Sequence, residues 1–170
     1  RAAELGLPAQ AFEQGMIKVD WPARMQRLAA GALAARAPAG SELWLDGGHN
    51  AEGGRIVAGA LADMEERVSR PLVLIVGMLS TKDHEGFLGN FAGLARALIA
   101  VPIGQGSGLA PDVLAAAARQ IGIAAQSAGS VEDALAAAGE LGLEPPPRIL
   151  VTGSLYLAGA VLGANGTPPG

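Results

Sequence analysis

The sequence has no cysteine among its 170 residues, so a disulfide framework and a thiolate-bound metal site are both excluded. A chain without cysteine suits a reducing compartment, and we expect a cytoplasmic protein. Aromatic residues make up only 4% of the chain. The core must therefore be built from aliphatic side chains and closely packed backbone.

Basic clusters and long apolar runs are also missing. The formal net charge is -4, and no run of Lys and Arg marks a surface for nucleic acid. No apolar run reaches the roughly 18 residues that a membrane-spanning helix needs. The first residues lack the charged start and apolar core of a signal peptide. We expect neither a nucleic-acid partner nor a membrane partner.

Several signatures of catalytic and phosphate-binding sites do not occur in the chain. There is no G-x-x-x-x-G-K-[ST] phosphate loop, no G-x-G-x-x-G after the first strand and no G-x-S-x-G nucleophile elbow. The two histidines, His49 and His84, do not have metal-ligand spacing. The sequence predicts no metal site within this chain.

What the chain does contain is a regular alternation of two patterns. Half of its residues are hydrophobic, enough for one compact domain that buries roughly 70% of its unfolded surface. Short apolar segments typical of strands alternate with segments of helical periodicity. Strands are predicted at 43–45, 72–76, 97–101, 123–126 and 149–151, and helices from after Asn50 to 68, at 84–94, from 111, from 131, and at 155–162. This order predicts an α/β fold with an open, mostly parallel, Rossmann-like sheet and helices on both faces.

The domain boundaries follow from the same pattern. Residues 1–20 are predicted to be a linker, 21–163 the folded domain and 164–170 a disordered tail. Helical spacing predicts the buried face of each helix. For the first helix this face is Val57, Ala60, Leu61, Met64 and Val68, and for the third it includes Leu114, Ala117, Ala118 and Ile121.

Ligands of such sheets bind beyond the carboxyl ends of the strands, and the loop at 46–50 has this position. Its glycines permit a sharp turn, and the next helix offers free N–H groups. His49 and Asn50 could donate to a phosphate, while Asp46 could accept from ribose hydroxyls or an amine. The alternative is that Asp46 and Asn50 only cap the helix and that His49 is exposed without a role. Arg24 carries a guanidinium suited to phosphate oxygens, or is an ordinary surface residue.

Two further loops have the same position. At 77–83, Lys82 could assist an anion, but the sequence favours a solvated Lys82 and a helix cap at Asp83. At 152–154, the hydroxyls of Thr152 and Ser154 and the following helix start could hold a small carboxylate. The alternative for that loop is an ordinary cap at Ser154 with Tyr156 packed inward.

Four segments carry a resemblance to a known family. They are WPARMQ, LWLDGGHN, VGMLSTKD and VTGSLYLAG, and they run in order from residue 21 to residue 159. Together they resemble the C-terminal domain of folylpolyglutamate synthases, including the bifunctional dihydrofolate synthase/folylpolyglutamate synthases, within the Mur-type ligases. The resemblance implies a domain that closes over ATP. It also implies a separate N-terminal domain, absent from this chain, with the phosphate loop, the Mg²⁺ ligands and most of the folate site.

The resemblance also implies roles for individual residues. Arg24 and Asp46 match the family's ATP-binding arginine and aspartate. His49 and Asn50 match the pair near the transferred phosphate and are the predicted catalytic residues.

Three positions depart from the family's motifs without losing a small side chain. Ala23 stands where WPGR has glycine, Gly48 where DGAHN has alanine, and Ala51 where proline usually follows HN.

The implied activity is ATP-dependent ligation of L-glutamate. Ser154 and Tyr156 fall in the motif near the incoming glutamate. ATP would phosphorylate the carboxylate of dihydropteroate or a reduced folate, and the glutamate amine would attack the acyl phosphate. The complete enzyme would be a monomer that uses Mg²⁺. Two alternatives stay open: another Mur-type amino-acid ligase, and a non-catalytic Rossmann-like binding module.

Overall fold

The computed structural model describes residues 23–104 and 106–167, so the predicted linker at 1–20 lies outside the described residues. The strands are β1 (Gln26–Arg27), β2 (Glu42–Leu45), β3 (Leu72–Val76), β4 (Ala95–Ala100), β5 (Ala124–Ser127) and β6 (Arg148–Thr152). The helices are α1 (Ala51–Arg67), α2 (His84–Gly89), α3 (Pro111–Gln120), α4 (Val131–Glu140) and α5 (Leu155–Asn165), with a short 3-10 helix at Ala34–Arg36.

The described strands form one sheet in the order β1-β2-β6-β3-β4-β5. Strand β1 runs antiparallel to β2, and all the other neighbours are parallel. This arrangement confirms the predicted α/β fold class. The sequence did not predict β1 as a strand, because two residues are too few to show an alternating pattern.

Two hydrophobic cores cover the two faces of the sheet. Because side chains alternate along a strand, Val73 and Ile75 of β3 pack with α4 and α5. Their neighbours Leu74 and Val76 pack with α1, α2 and α3. Every residue of β3 is buried, which explains its uninterrupted apolar sequence. None of the helices in the described part of the chain has the length and apolar character needed to cross a membrane.

The helices that follow two neighbouring strands near the centre of the sheet pack on opposite faces. Strands β2 and β6 are parallel neighbours. The helix that follows β2, α1, packs on one face, whereas the helix that follows β6, α5, packs on the other. Such a divergence leaves a crevice beyond the carboxyl ends of the two strands. The topology therefore places the loops after β2 and β6 side by side at the edge where ligands bind.

Three helices end earlier than the sequence predicts, and two residues predicted to be buried are exposed as a result. Helix α2 ends at Gly89, and residues 90–94 form turns instead of further helix. Helix α1 ends at Arg67, so Val68 lies outside the helix and is 55% exposed. Ile121 follows the end of α3 and is likewise exposed. Helical spacing was extended past the true end of each of these helices.

The prediction of a disordered tail from residue 164 is wrong for residues 164–167. Helix α5 continues to Asn165, whose side chain is buried. Its Oδ1 accepts hydrogen bonds from the backbone N–H groups of Leu33 and Ala34, both at 3.1 Å. Its Nδ2 donates to the carbonyl of Ala30 at 2.9 Å. These bonds tie the last helix to the segment that leads into β2.

An ion-pair network occupies the amino-terminal edge of the sheet. Arg148 is buried, and its Nε donates to Oε2 of Glu42 at 3.0 Å. Burial alone would raise the pKa of the Glu42 carboxyl, but hydrogen bonds from Trp44 and Arg148 lower it. The positive charges of Arg148 and Arg70 lower it further, so the pKa of Glu42 lies below its ordinary value.

We expect Glu42→Gln to destabilise the protein at pH 7 by about 1–3 kcal/mol, because the buried Arg148 loses its nearer carboxylate partner and keeps only Glu65 at 3.8 Å. Because the pKa of Glu42 is lower in the folded state than in the unfolded state, its ionised carboxylate contributes its full stabilisation above the unfolded pKa of roughly 4.3. That stability disappears as the pH falls through the lower folded value. The difference between the variant and the parent should therefore shrink in acid. Urea unfolding followed by circular dichroism at several pH values measures this difference.

The matched control is Glu52→Gln, since Glu52 pairs with Arg55 on the exposed surface of α1. Exposed pairs contribute little, so this change should leave the unfolding midpoint almost unaltered. Equal effects of the two substitutions, or an effect of Glu42→Gln that does not depend on pH, would contradict the prediction.

Candidate active site

A single carboxylate organises the turn after β2. Asp46 is buried, and its Oδ1 accepts from the N–H of Gly48 at 2.7 Å. Its Oδ2 accepts from the N–H of Met25 at 2.9 Å. Asp46 therefore does not cap α1, which was one of the alternatives. Instead it joins the glycine turn to the segment before β1.

That segment, residues 23–25, holds Arg24 between two strained neighbours. Ala23 has φ of 58° and Met25 has φ of 42°, a region that costs L-residues roughly 1–2 kcal/mol. Three hydrogen bonds fix this shape. Two of them are the Met25 bond to Asp46 and a bond from the N–H of Gly47 to the carbonyl of Ala23 at 2.7 Å. The left-handed φ of Ala23 also explains why glycine suits this position in the resembling family.

The third bond comes from Gln26, a residue to which the sequence analysis gave no role. Its Oε1 accepts from the N–H of Ala23 at 2.9 Å and closes the small loop around Arg24. A polar residue two positions after an arginine carries no signal of this contact, because the contact depends on the unusual backbone of the intervening residues.

His49 and Asn50 complete the turn and begin the helix. Nδ1 of His49 lies 3.1 Å from the carbonyl oxygen of Gly47. If Nδ1 carries a proton, its N–H donates to that oxygen, and Nε2 is left to contact a ligand. In a neutral ring Nε2 would accept a hydrogen bond, and in a protonated ring it would donate one. Asn50 is the N-cap of α1, and its Oδ1 accepts from the N–H of Gly53 at 2.8 Å.

The structure brings the predicted nucleotide residues together. Arg24, Asp46, His49 and Asn50 line one hollow of about 420 Å³ at the start of α1. Apolar side chains from α1 and α5, chiefly Ile56 and Leu155, form the rest of its wall. A positive group, an imidazole and a helix N-terminus facing one cavity are suited to an anionic ligand such as a phosphate chain.

A second hollow of about 160 Å³ adjoins the first, and His49 and Leu155 line both. It also contains both residues predicted to contact glutamate, Ser154 and Tyr156. Ser154 is buried, and its Oγ accepts from the N–H of Tyr156 at 3.1 Å, so it is a helix cap. Tyr156 is exposed, which removes the alternative that its ring packs into the core.

Lys82 also lines this second hollow, although the sequence favoured a solvated side chain. Lys82 is half-buried at this position, and the solvation of its ammonium group stays a prediction. The other half of the prediction holds, because Asp83 caps α2 and accepts from the N–H of Gly86 at 2.9 Å. The sequence could not place Lys82, since its surroundings come from the loops after β2 and β6.

Gly153 locks the loop after β6 against the glycine turn. Its N–H donates to the carbonyl of Gly48 at 3.0 Å. Its φ is 105°, and a Cβ there would lie 2.8 Å from the carbonyl oxygen of Gly77. Only glycine fits this position without a shift of the backbone. The loops after β2, β3 and β6 therefore meet at one point.

A further hollow of about 480 Å³ lies near the opposite edge of the sheet, where Arg70, Pro71 and Arg96 contribute to its wall. None of the predicted site residues lines it. Its position at the amino ends of the strands is not where sheets of this type bind their ligands. Within residues 23–104 and 106–167, no cluster of three His, Asp or Glu side chains could hold a metal ion.

These features define an α/β domain whose binding crevice lies at the switch point of a parallel sheet. Residues 24–155 match the family described as Mur ligase, glutamate ligase domain, and the chain belongs to that family.

Individual relatives agree with the resemblance seen in the sequence. The chain is 28% identical over 163 residues to the folylpolyglutamate synthase of Lacticaseibacillus casei, a match that covers 95% of this chain and 33% of that protein. The chain thus spans about a third of the length of this curated relative.

Solved structures share the fold. Folylpolyglutamate synthase of Mycobacterium tuberculosis, complexed with ADP and AMPPCP, matches with a TM-score of 0.80 and 26% identity, over 99% of this chain and 38% of that chain. A bifunctional folylpolyglutamate synthase/dihydrofolate synthase from Yersinia pestis matches with a TM-score of 0.69 and 23% identity, over 93% of this chain and 34% of that chain. The second likeness supports the fold alone.

We expect Asp46→Ala to lower the free energy of unfolding by about 1–3 kcal/mol, because the N–H groups of Met25 and Gly48 lose their acceptor. Asp46→Asn keeps one acceptor oxygen and should lose less. Urea unfolding of the two variants measures the difference. Asp63→Ala removes an exposed carboxylate from α1 and is the control; a loss no larger than that of this control would show that Asp46 does not hold the two loops.

Proposed function

We propose that this chain is the nucleotide-closing and amino-acid-binding domain of an ATP-dependent ligase that joins L-glutamate to a folate-type carboxylate. The observation that carries the proposal is the pair of adjoining hollows that share His49. A ligase of this kind must hold a triphosphate and an amine donor side by side, so that a phosphorylated intermediate can meet the amine. Membership of the glutamate ligase domain family supports the same function.

The larger hollow would receive ATP. Arg24 would contact phosphate oxygens, and the N-terminus of α1 would add its partial positive charge. Each Asp46 oxygen already accepts one backbone hydrogen bond and keeps further lone-pair capacity. Asp46 could therefore also accept from ribose hydroxyls. The relative from Mycobacterium tuberculosis was solved in complex with ADP and AMPPCP, which supports a nucleotide as a ligand of the complete enzyme.

The smaller hollow would receive glutamate. Of the described residues that line it, Lys82 supplies a positive charge that a carboxylate requires, and Ser154 and Tyr156 supply hydroxyl groups. The volume of about 160 Å³ suits a small amino acid better than a folate. The folate-type substrate, dihydropteroate or a reduced folate, would be held mainly by a second domain.

The proposed reaction has two transfers. The γ-phosphorus of ATP bonds to a carboxylate oxygen of the substrate, and ADP leaves with the electron pair of the broken P–O bond. The glutamate nitrogen then bonds to the acyl carbon, phosphate leaves with the electron pair of the broken C–O bond, and the amine proton passes to water. Arg24, His49 and Asn50 would stabilise the charge of both transition states by position and hydrogen bonding.

A divalent cation, expected to be Mg²⁺, would neutralise the phosphates, and it would be held outside the described residues. The described residues do not fit a metal site, since they contain no suitable cluster of acidic or histidine side chains. The domain with the phosphate loop would provide the metal ligands. We further propose that the complete enzyme is a cytoplasmic monomer.

We expect Arg24→Ala to lower kcat/KM of the complete ligase by about 10²–10³-fold, because a positive charge aimed at the transferred phosphate is lost. The assay is ATP-dependent incorporation of labelled glutamate into dihydropteroate and into reduced folates. Arg36→Ala is the matched control, since Arg36 is exposed and lies in the 3-10 helix away from both hollows. An unchanged kcat/KM for ATP would remove Arg24 from the site. Product formed only with a different amino acid would point to another Mur-type ligase.

We expect Lys82→Met to raise the KM for glutamate roughly tenfold or more, because a charge-assisted hydrogen bond of about 1.5–3 kcal/mol is lost. The KM for ATP should change little. Lys82→Arg keeps the charge and should restore part of the affinity. Steady-state kinetics with each substrate varied in turn measures this. If the KM for glutamate stays the same in Lys82→Met, glutamate does not occupy the smaller hollow.

A further inference from the structure

Leu155 is a large apolar residue in an unexpected place. It is the first residue of α5, beyond the carboxyl ends of the strands, and it is 61% exposed. A single exposed leucine is ordinary on a protein surface. This one, however, lines both hollows of the candidate site together with His49. Its side chain therefore stands at the junction between the nucleotide hollow and the amino-acid hollow.

The glycine turn supports this side chain from below. A Cβ added to Gly47 would lie 2.5 Å from Cδ2 of Leu155, so the leucine rests on the bare backbone of the turn. Gly47 is itself fixed by the hydrogen bond from its N–H to the carbonyl of Ala23. The turn thus supports one side of Leu155, while most of the leucine's own area is open to solvent.

The chemistry at this junction has a competing reaction. Water can attack the acyl carbon in place of the amine, forming a C–O bond while phosphate leaves with the electron pair of the old one. The proton passes to solvent, the free acid is regenerated and one ATP is lost without an amide. A leucine side chain offers no hydrogen bond to water. At the point where the acyl phosphate and the amine meet, it would keep water out.

We propose that Leu155 is a positioning residue that separates the two hollows and protects the acyl phosphate from hydrolysis. This inference rests on the proposed ligase function. It assigns a role to an apolar residue, in addition to the roles proposed for the hydrogen-bonding residues of the site. Leu155 controls how the intermediate is partitioned between amide and free acid, and affects the rate of phosphoryl transfer less.

The test measures phosphate release and glutamate incorporation in the same reaction of the complete ligase. In Leu155→Ala the number of ATP molecules hydrolysed per amide bond should rise severalfold, and ATP hydrolysis without glutamate should rise as well. Leu155→Met restores apolar bulk and should return the ratio towards that of the parent. A purely structural role would slow both products together and leave the ratio unchanged. Because Leu155 is largely exposed, the alanine variant should fold, and thermal unfolding checks this.

Two controls sharpen the result. Ile56→Ala shortens an apolar side chain that is 60% exposed and lines only the nucleotide hollow, so it should raise the KM for ATP without altering the ratio. Val68→Ala changes an exposed residue beyond the far end of α1 and should alter neither. An unchanged ratio in Leu155→Ala, or an equal rise in Ile56→Ala, would overturn the inference. Absence of glutamate incorporation by the parent enzyme would instead refute the proposed function and the inference together.

Discussion

The candidate site depends on the two hydrogen bonds that the Asp46 carboxylate accepts. One reaches Met25 and the other reaches Gly48, so one buried side chain fixes the segment around Arg24 and the turn that carries His49. The left-handed backbone of Ala23 and Met25 persists because these bonds and the Gln26 contact over-determine it. Strain of this kind at a cluster of polar groups is typical of functional sites. The same carboxylate therefore holds the two loops of the candidate site together.

The order of the strands in the sheet determines which loops contact the glycine turn after β2. Strand β6 is the last of the described strands in sequence order, yet it lies between β2 and β3 in the sheet. The glycine turn and the Gly153 loop are therefore joined by a backbone hydrogen bond although about a hundred residues separate them. Contacts of such large sequence separation slow folding, because the entropy of closing the intervening loop must be overcome before they form. Both hollows depend on the chain that follows β6, because Gly153 and Ser154 line the smaller one and Leu155 of α5 lines both.

Local features of the chain were predictable, and long-range ones were not. The apolar run of β3 and the cap at Asp83 lie where the sequence predicts them, because each depends on neighbouring residues. Strand β1, the position of Lys82 and the burial of Asn165 depend on partners far along the chain. In the site, spacing alone left several alternatives open, and the family resemblance selected among them. The structure groups the selected residues, while their roles stay predictions.

The Asn165 contacts have a consequence for how the chain tolerates shortening. A residue five positions from the end of the sequence binds backbone more than a hundred positions earlier, in the segment between β1 and β2. Only the two-residue strand β1 separates that segment from the loop that carries Arg24. Trimming α5 would thus loosen the segment between β1 and β2, more than a hundred positions earlier in the sequence.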